Sequence, residues 1–313
     1  MKLNKPKFWD KKFSFIAIIL LPLSLIVIFS IFLKKKITKS INFKIPIICI
    51  GNIYIGGTGK TPASIYVAKE LSKFGKKTVI IRKYYKDHGD EYNLIRENFN
   101  NLIINKNRID GIKEAKKLKY ETLILDDGFQ DYTIKKNLNI LCFNNSQLIG
   151  NGFVLPSGPL RENLSSLKKA EIVLINGKKN IEFEKKILKI NKNLEIFYTI
   201  YKPENINQFK NKKLLAIAGI GNPNNFFQLL LDNGLNIEKK LIFPDHYEFT
   251  EAEIFSLVKE ADINNNQIIM TEKDYFRIKH FNQNKIKYLK VSLIINNKEK
   301  LLNSITRLYD EKY

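Results

Sequence analysis

The stretch IPIICIGNIYIGGTGKTPASIYVAKELSKFG, residues 45–75, decides the fold. An apolar run (45–50) leads into a glycine-rich turn, GNIYIGGTGKTP (51–62), and then into an amphipathic run (63–75). A buried strand, a tight turn and a helix in that order aim backbone N–H groups and the positive end of a helix at one point, where an anion binds. Lys60 adds a charge there, and Thr61 a hydroxyl for a metal ion. The turn reads as a nucleotide phosphate cradle built from Gly56, Gly57, Thr58, Gly59, Lys60 and Thr61. The strict pattern G-x-x-x-x-G-K-[ST] would place glycine at position 54, where the chain has Tyr54, so the loop is a variant that keeps Gly51 and GGTGKT.

Downstream, TVIIR (78–82) predicts a second buried strand, and residues 101–118 a short strand, a loop with Arg108 and Asp110, and a helix. ETLILDDGFQD (121–131), NLNILCF (137–143) and EIVLING (171–177) predict three more strands. Strands alternating with helices make a parallel sheet whose ligand crevice lies at the strands' carboxyl ends. Asp126 and Asp127 fall at such an end. An LDDG by itself is a common turn, but beside a phosphate cradle the pair, with Thr61, becomes a candidate magnesium site.

A second unit begins later. LEIFYTIYKPENI (194–206) suits an extended linker or hairpin, set at 196–210, and KLLAIAGIGNPNNFFQLLLDNG (213–234) restarts a strand, a glycine loop and a helix. Asp245 and His246 follow the next apolar run, just before a helix N-cap at Thr250. A single strand, KIKYLKVSLII, and a terminal helix are expected to close a smaller domain spanning 211–313. His88 and His280, in lysine-rich surroundings, read as surface residues.

Ahead of all this, residues 13–33 form an uncharged apolar run of the length a bilayer core requires. Lys34, Lys35 and Lys36 follow it directly, without the small-residue cleavage site of a signal peptide. Lysines on both flanks, Lys2 among them, set no orientation, and Pro22 allows a kinked helix that enters one leaflet. The predicted organisation is α/β: a membrane anchor (1–40), a P-loop NTPase-like parallel sheet (41–195), a linker, and the smaller α/β domain.

Composition narrows the partners. With 53 basic against 31 acidic residues the net charge is +22, which favours phosphorylated ligands or an acidic membrane face. No nucleic-acid motif and no basic stripe interleaved with aromatics is present, so nucleic acid is not an expected partner. Cys49 and Cys142 lie in apolar strand-like runs and read as buried thiols of a reducing compartment.

Phosphoryl transfer needs a cradle, a metal and a group to receive the acceptor's proton. Asp90, in the loop after the second strand, is the carboxylate best placed for the last role, with His246 as the histidine of interest. The ordered set GN-x-x-x-GGTGKTP, GDE (89–91), DDGFQ (126–130), GNGFVLPSGPLRE (150–162), AGIGNP (218–223), PDH (244–246) and MTEKD (270–274) closely resembles the tetraacyldisaccharide 4′-kinase (lipid A 4′-kinase) family. The resemblance implies transfer from ATP, with Mg²⁺, to the 4′-hydroxyl of a tetraacylated disaccharide 1-phosphate in lipid A biosynthesis. It also implies catalytic domains on the cytoplasmic side of a bacterial inner membrane, a glycolipid acceptor, and no obligate protein partner. Carried over by motif, Lys60 and Thr61 hold phosphates and metal, Asp126 and Asp127 organise magnesium, and Asp90 with His246 serves as base. Arg108, Gln130 and Arg161 are implied acceptor contacts. Domain closure would bring His246 to Asp90. Where the family carries Arg-Gly-Tyr-Gly-Gly, this chain has Arg82 and a shorter segment without the glycines, and Asp131 stands where relatives often have His. The alternative is a membrane-tethered partition or targeting ATPase, whose signature needs Lys where Ile55 stands.

Overall fold

The computed structural model describes residues 5–281 and 284–310; Lys2 and the rest of 1–4 in the expected anchor lie outside the described residues. In chain order its elements are α1 (Phe15–Ile37), β1 (Ile47–Gly51), α2 (Lys60–Lys73), β2 (Thr78–Lys83), α3 (Gly89–Asn98), β3 (Leu102–Asn105) and α4 (Arg108–Lys117). β4 (Thr122–Asp126), β5 (Leu138–Asn144), β6 (Ile172–Asn176), α5 (Ile181–Leu188), β7 (Glu195–Pro203), β8 (Lys213–Ala218), α6 (Pro223–Asp232) and β9 (Asn236–Ile242) follow. α7 (Glu251–Ile263), β10 (Gln267–Thr271), α8 (Glu272–Ile278), β11 (Ile286–Leu289), β12 (Val291–Ile295) and α9 (Lys298–Thr306) complete the chain.

Two compact units result: a larger one of residues 5–84, 101–200 and 295–310, and a smaller one of 85–100 and 201–294. The expected spans 41–195 and 211–313 are each interrupted. α3 belongs to the smaller unit because Tyr92 and Ile95 need burial, and it packs on α8, with Asn98 donating to Glu272 (3.1 Å). α9 belongs to the larger unit: Leu301 and Ile305 are buried, Lys298 lies 2.6 Å from Glu70, and the Tyr309 hydroxyl lies 2.7 Å from Thr122 Oγ1. The expected linker is instead β7, paired in parallel with β6 from Ile172↔Glu195 to Asn176↔Thr199. KIKYLKVSLII splits at Lys290 into β11 and β12, which lie in different sheets. Arg108 and Asp110, expected in a loop, start α4, capped by the Asn107 side chain.

The large sheet has the order β12-β7-β6-β5-β1-β4-β2-β3, and β1 pairs in parallel with both β4 and β5. β1 is Ile47, Ile48, Cys49, Ile50 and Gly51, every residue buried, as a strand covered on both faces must be. After β1 the chain works outward through β2 and β3 on one side, and from β5 through β6 and β7 on the other. The phosphate loop leaves β1 at this reversal, where doubly wound sheets hold their ligands. Cys49 and Cys142 are buried and unbridged, and burial pushes the Cys49 thiol up to about 11.

In the smaller unit β11-β10-β8-β9 form a parallel sheet. Alternate residues of β8 serve opposite faces, Leu214, Ala216 and Ala218 packing with Phe226, Phe227 and Leu230 of α6, Leu215 and Ile217 with Ile254 and Leu257 of α7. Thr250 and Glu253 form the capping box that starts α7.

α1 is long and apolar enough to cross a membrane. Its residues Ala17, Leu20, Leu21, Ser24, Val27, Ile28, Ile31 and Lys35 recur at helical spacing and are buried or half-buried, while Phe15, Ile19, Ile26, Phe29 and Phe32 are exposed. Ser24 fixes this stripe. Its hydroxyl donates to Val154 O (2.8 Å), lies 2.8 Å from Ser157 Oγ and accepts from Ser157 N–H (3.0 Å). Lys35 Nζ ends the stripe 2.5 Å from the buried Glu162. Ser24→Ala, which removes only the hydroxyl and so cannot make these bonds, is expected to cost about 1–3 kcal/mol by leaving buried polar partners unmade; denaturant unfolding in detergent measures it, and an unchanged midpoint would contradict the assignment.

Candidate active site

In the larger unit the loop between β1 and α2 takes its shape from two glycines with positive φ, Gly56 (111°) and Gly59 (88°). Tyr54 has no such φ, and it occupies the variant position for a packing reason. It is buried, bridged to Leu160, while Ile55 N–H donates to Pro159 O (2.9 Å) and Arg161 N–H to Ile53 O (2.7 Å). The first half of the cradle is thus braced by segment 153–161, which Ser24 of α1 holds in turn. Asn52 Nδ2 donates to Thr58 Oγ1 (2.9 Å) from inside the loop.

Asp126 ends β4 fully buried. Thr61 Oγ1 donates to its Oδ2 (3.1 Å), Ser64 Oγ to its Oδ1 (3.0 Å), and Arg82 Nη1 bonds the same Oδ2. Arg82, from β2, also donates to Thr61 Oγ1 (3.1 Å). Asp127 follows with φ 56°, in the left-handed region, its N–H on Ile50 O (2.9 Å). Its carboxylate faces the cradle lysine, Lys60 Nζ at 3.7 Å, and accepts from Arg161 Nη1 (3.0 and 3.2 Å). Burial would push the Asp127 carboxyl up, but the charges of Lys60, Arg161 and Arg82 outweigh it and hold it well below the usual carboxylate range. Burial lowers Lys60, with Asp127 opposing.

The residues implied as acceptor contacts gather on the same segment and brace it. Arg108 Nη2 donates to Asp127 O (2.7 Å) and Nη1 to Asp131 Oδ2 (3.3 Å), and Gln130 Nε2 donates to Asn52 O (2.9 Å). Asp131 is therefore a partner of Arg108 and also accepts from Thr133 Oγ1 (2.6 Å).

The smaller unit carries Asp90 and His246. Asp90, in the first turn of α3, is buried, and its Oδ2 meets Arg277 Nε (2.7 Å) and Nη2 (2.5 Å), Lys273 Nζ (3.8 Å) and His246 Nδ1 (3.3 Å). Asp90 and His246 therefore meet inside one unit, and no domain closure is needed to join them. Burial would raise the Asp90 carboxyl; the His246 hydrogen bond and the Lys273 and Arg277 charges overcome it and hold it far below the usual range. Lys273 also contacts Asp245 (3.0 Å) and Glu91 (3.2 Å), and Asp245 too is held low. His88, expected at the surface, stacks on His246 with centroids 4.6 Å apart and lies 3.1 Å from Glu91. His246 itself has φ 59°; left-handed backbone at Asp127 and His246 alike is strain of the kind that collects at functional sites.

Sequence reasoning missed Arg82, Ser64, Lys273, Arg277, Glu91 and His88. Lys273 and Glu91 stood in quoted motifs without a role. Arg277 had no local signal, yet it links two motifs: its Nη1 bonds Asp274 Oδ1 (2.8 Å) and Gly219 O (3.0 Å), and Asp274 Oδ2 accepts from Gly219 N–H (2.8 Å). A Cβ at Gly219 would meet Asp274 Oδ1 at 3.1 Å and Pro244 O at 3.2 Å, a tight approach that any larger residue would have to relieve by displacing Asp274 or the backbone.

A strand, a glycine turn with Lys and Thr, and a buried Asp on the neighbouring strand bonded to that Thr define a P-loop nucleotide-binding protein. The family model for tetraacyldisaccharide-1-P 4′-kinase matches residues 16–309. The chain is 43% identical over 315 residues to the tetraacyldisaccharide 4′-kinase of Pelagibacter ubique, covering 99% of this chain and 100% of that protein. It is 36% identical to that of Rickettsia canadensis, covering 95% of each. A crystal structure of LpxK from Aquifex aeolicus in complex with ATP superposes with TM-score 0.72 at 23% identity, over 94% of this chain and 99% of that one. The chain belongs to the tetraacyldisaccharide-1-P 4′-kinase family.

Arg277→Met would leave Asp90 and Asp274 buried without their guanidinium, which is expected to destabilise by about 3–5 kcal/mol. The pH dependence fixes the sign. A depressed Asp90 contributes stability that is present above the unfolded carboxylate value near 4 and lost as pH falls below it, so in Arg277→Met, where Asp90 is held down less, stability should fall less steeply on acidification. Urea titrations from pH 7 to pH 3 measure both.

Proposed function

We propose that this chain transfers the γ-phosphoryl group of ATP to the 4′-hydroxyl of a tetraacyldisaccharide 1-phosphate. What supports the reading most is the Asp90–His246 pair, 3.3 Å apart, in a chain of the 4′-kinase family. A partition or targeting ATPase phosphorylates no acceptor hydroxyl and would have no use for such a base. In this reading Lys60 and the N–H groups at the start of α2 hold the donor's phosphates. Arg161 and Lys60 offset negative charge that develops in the transition state. A carboxylate as depressed as Asp90 is a weak base alone, so Asp90 orients His246 and stabilises its charged form while the pair takes the hydroxyl's proton.

Thr61, Asp126 and Asp127 are all hard oxygen donors and suit Mg²⁺. Asp127 and the Thr61 hydroxyl would hold it, with Asp126, already engaged by Arg82, Thr61 and Ser64, orienting Thr61. Such an ion supplies charge neutralisation on the transferring phosphoryl group.

The membrane reading follows from α1. Its packed stripe runs from Ala17 to Lys35, so the helix is occupied by its own unit along its length, and its exposed face is apolar. We place it in one leaflet at the surface, on the cytoplasmic side of a bacterial inner membrane where ATP is present, with the unit's lysines toward anionic headgroups.

Purified full-length protein with γ-labelled ATP, Mg²⁺ and a disaccharide 1-phosphate lipid in micelles should label the lipid; Lys60→Ala and Asp90→Ala should each lose roughly 10²-fold or more. ATP hydrolysis with no label on the lipid would favour the partition-type ATPase instead.

A further inference from the structure

A cavity of about 340 Å³ opens at the carboxyl end of α1, and none of its walls belongs to the phosphate cradle. Lys35 and Thr38 line it from the helix and its exit, and Tyr132, Lys135, Lys136 and Lys169 from the facing segments. Four ammonium-bearing side chains and no carboxylate face it. The ring of Tyr132 lies at its centre of charge: Lys34, Lys35 and Lys169 place their Nζ atoms 5.9, 5.2 and 5.1 Å from the ring centroid.

Two acids stand near this group: Asp131, whose carboxylate Arg108 engages (3.3 Å), and Glu162. Glu162 is buried, and its two oxygens are taken by Lys35 (2.5 Å) and the Tyr132 hydroxyl (2.5 Å). Lys136 donates to the carbonyls of Phe129 (3.1 Å) and Asp131 (2.5 Å), and the Asp131 carboxylate, already bonded by Arg108, offsets part of its charge. Like charges gathered this closely repel, and the repulsion grows as water is displaced. Burial lowers both Lys136 and Lys169, and Lys35 adds to the effect at Lys169. An anion entering the cavity would remove that repulsion.

The cavity also lies where an anion of one kind is concentrated. The exposed face of α1 is apolar up to Phe29, Phe32 and Ile37, and Lys34, Lys35 and Lys36 close the helix. Acyl chains against that face would set a headgroup level with the lysines, the arrangement in which basic pockets bind acidic lipid headgroups. We propose that this cavity is a binding site for the phosphate of an anionic membrane phospholipid headgroup. The inference rests on α1 lying at a membrane surface.

The test is vesicle flotation of the full chain on phosphatidylcholine alone and on phosphatidylcholine with phosphatidylglycerol. Wild type should bind both, the second more tightly. Lys135→Gln/Lys169→Gln should keep the phosphatidylcholine affinity and lose roughly 30-fold on the anionic vesicles, about fivefold per lysine. Lys185→Gln/Lys186→Gln, exposed on α5, removes the same charge elsewhere and should lose far less. Equal losses in the two variants would mean diffuse attraction to a basic surface and overturn the site. No binding to phosphatidylcholine by any form would instead sink the membrane reading. Inorganic phosphate, titrated calorimetrically without vesicles, should bind wild type and Lys135→Gln/Lys169→Gln alike, through the phosphate cradle alone; binding that vanishes in Lys135→Gln/Lys169→Gln would assign the cavity to free phosphate and overturn the headgroup.

Discussion

The larger unit depends on one buried charge. Asp126 lies with no solvent exposure at the end of β4, and a carboxylate there is tolerable only if every oxygen is met. Arg82 from β2, Thr61 and Ser64 from α2 meet it, so one side chain ties two strands of the sheet to the helix that carries the cradle. The positions of the Thr61 hydroxyl and of the first turn of α2 follow from this. Asp127, one residue on, is turned by its left-handed backbone out of that buried cluster and toward Lys60 and Arg161. Two adjacent acids thus stand in different settings, one locked into the buried cluster and one facing Lys60 and Arg161.

The smaller unit repeats the principle with another arginine. Arg277 stands between Asp90 and Asp274, and through Asp274 it reaches the backbone of Gly219. The GDE, AGIGNP and MTEKD segments are therefore parts of one polar network, with PDH added through His246 and Asp245. Such networks are costly if any member is left unpaired, which accounts for the glycine at 219, where a side chain would press on Asp274.

Legibility in the sequence followed the range of the forces. The strand, loop and helix of residues 45–75, the N-cap at Thr250 and the apolar α1 are local patterns, each legible in its own stretch. Tyr54 was legible as an irregularity, but its cause, a bridge to Leu160 over a hundred positions away, was not. β7 escaped because IFYTIYKP pairs with β6 along only part of its length and runs on polar, so its period resembled a linker. Residues 85–100 and the terminal helix were grouped with their neighbours in sequence, because a linear reading carries no signal for which unit a segment packs in. Arg82 and Arg277 illustrate the same limit: an arginine's target lies wherever the fold delivers a carboxylate.

The exchange of segments between units has a bearing on how the chain is made. α3 leaves the larger unit's sequence to complete the smaller, and α9 returns from beyond the smaller to complete the larger. Neither unit has all its parts until synthesis has passed β11, and the larger waits for α9. Domain-by-domain folding from the N-terminus, the usual course for a chain of this size, is closed to it.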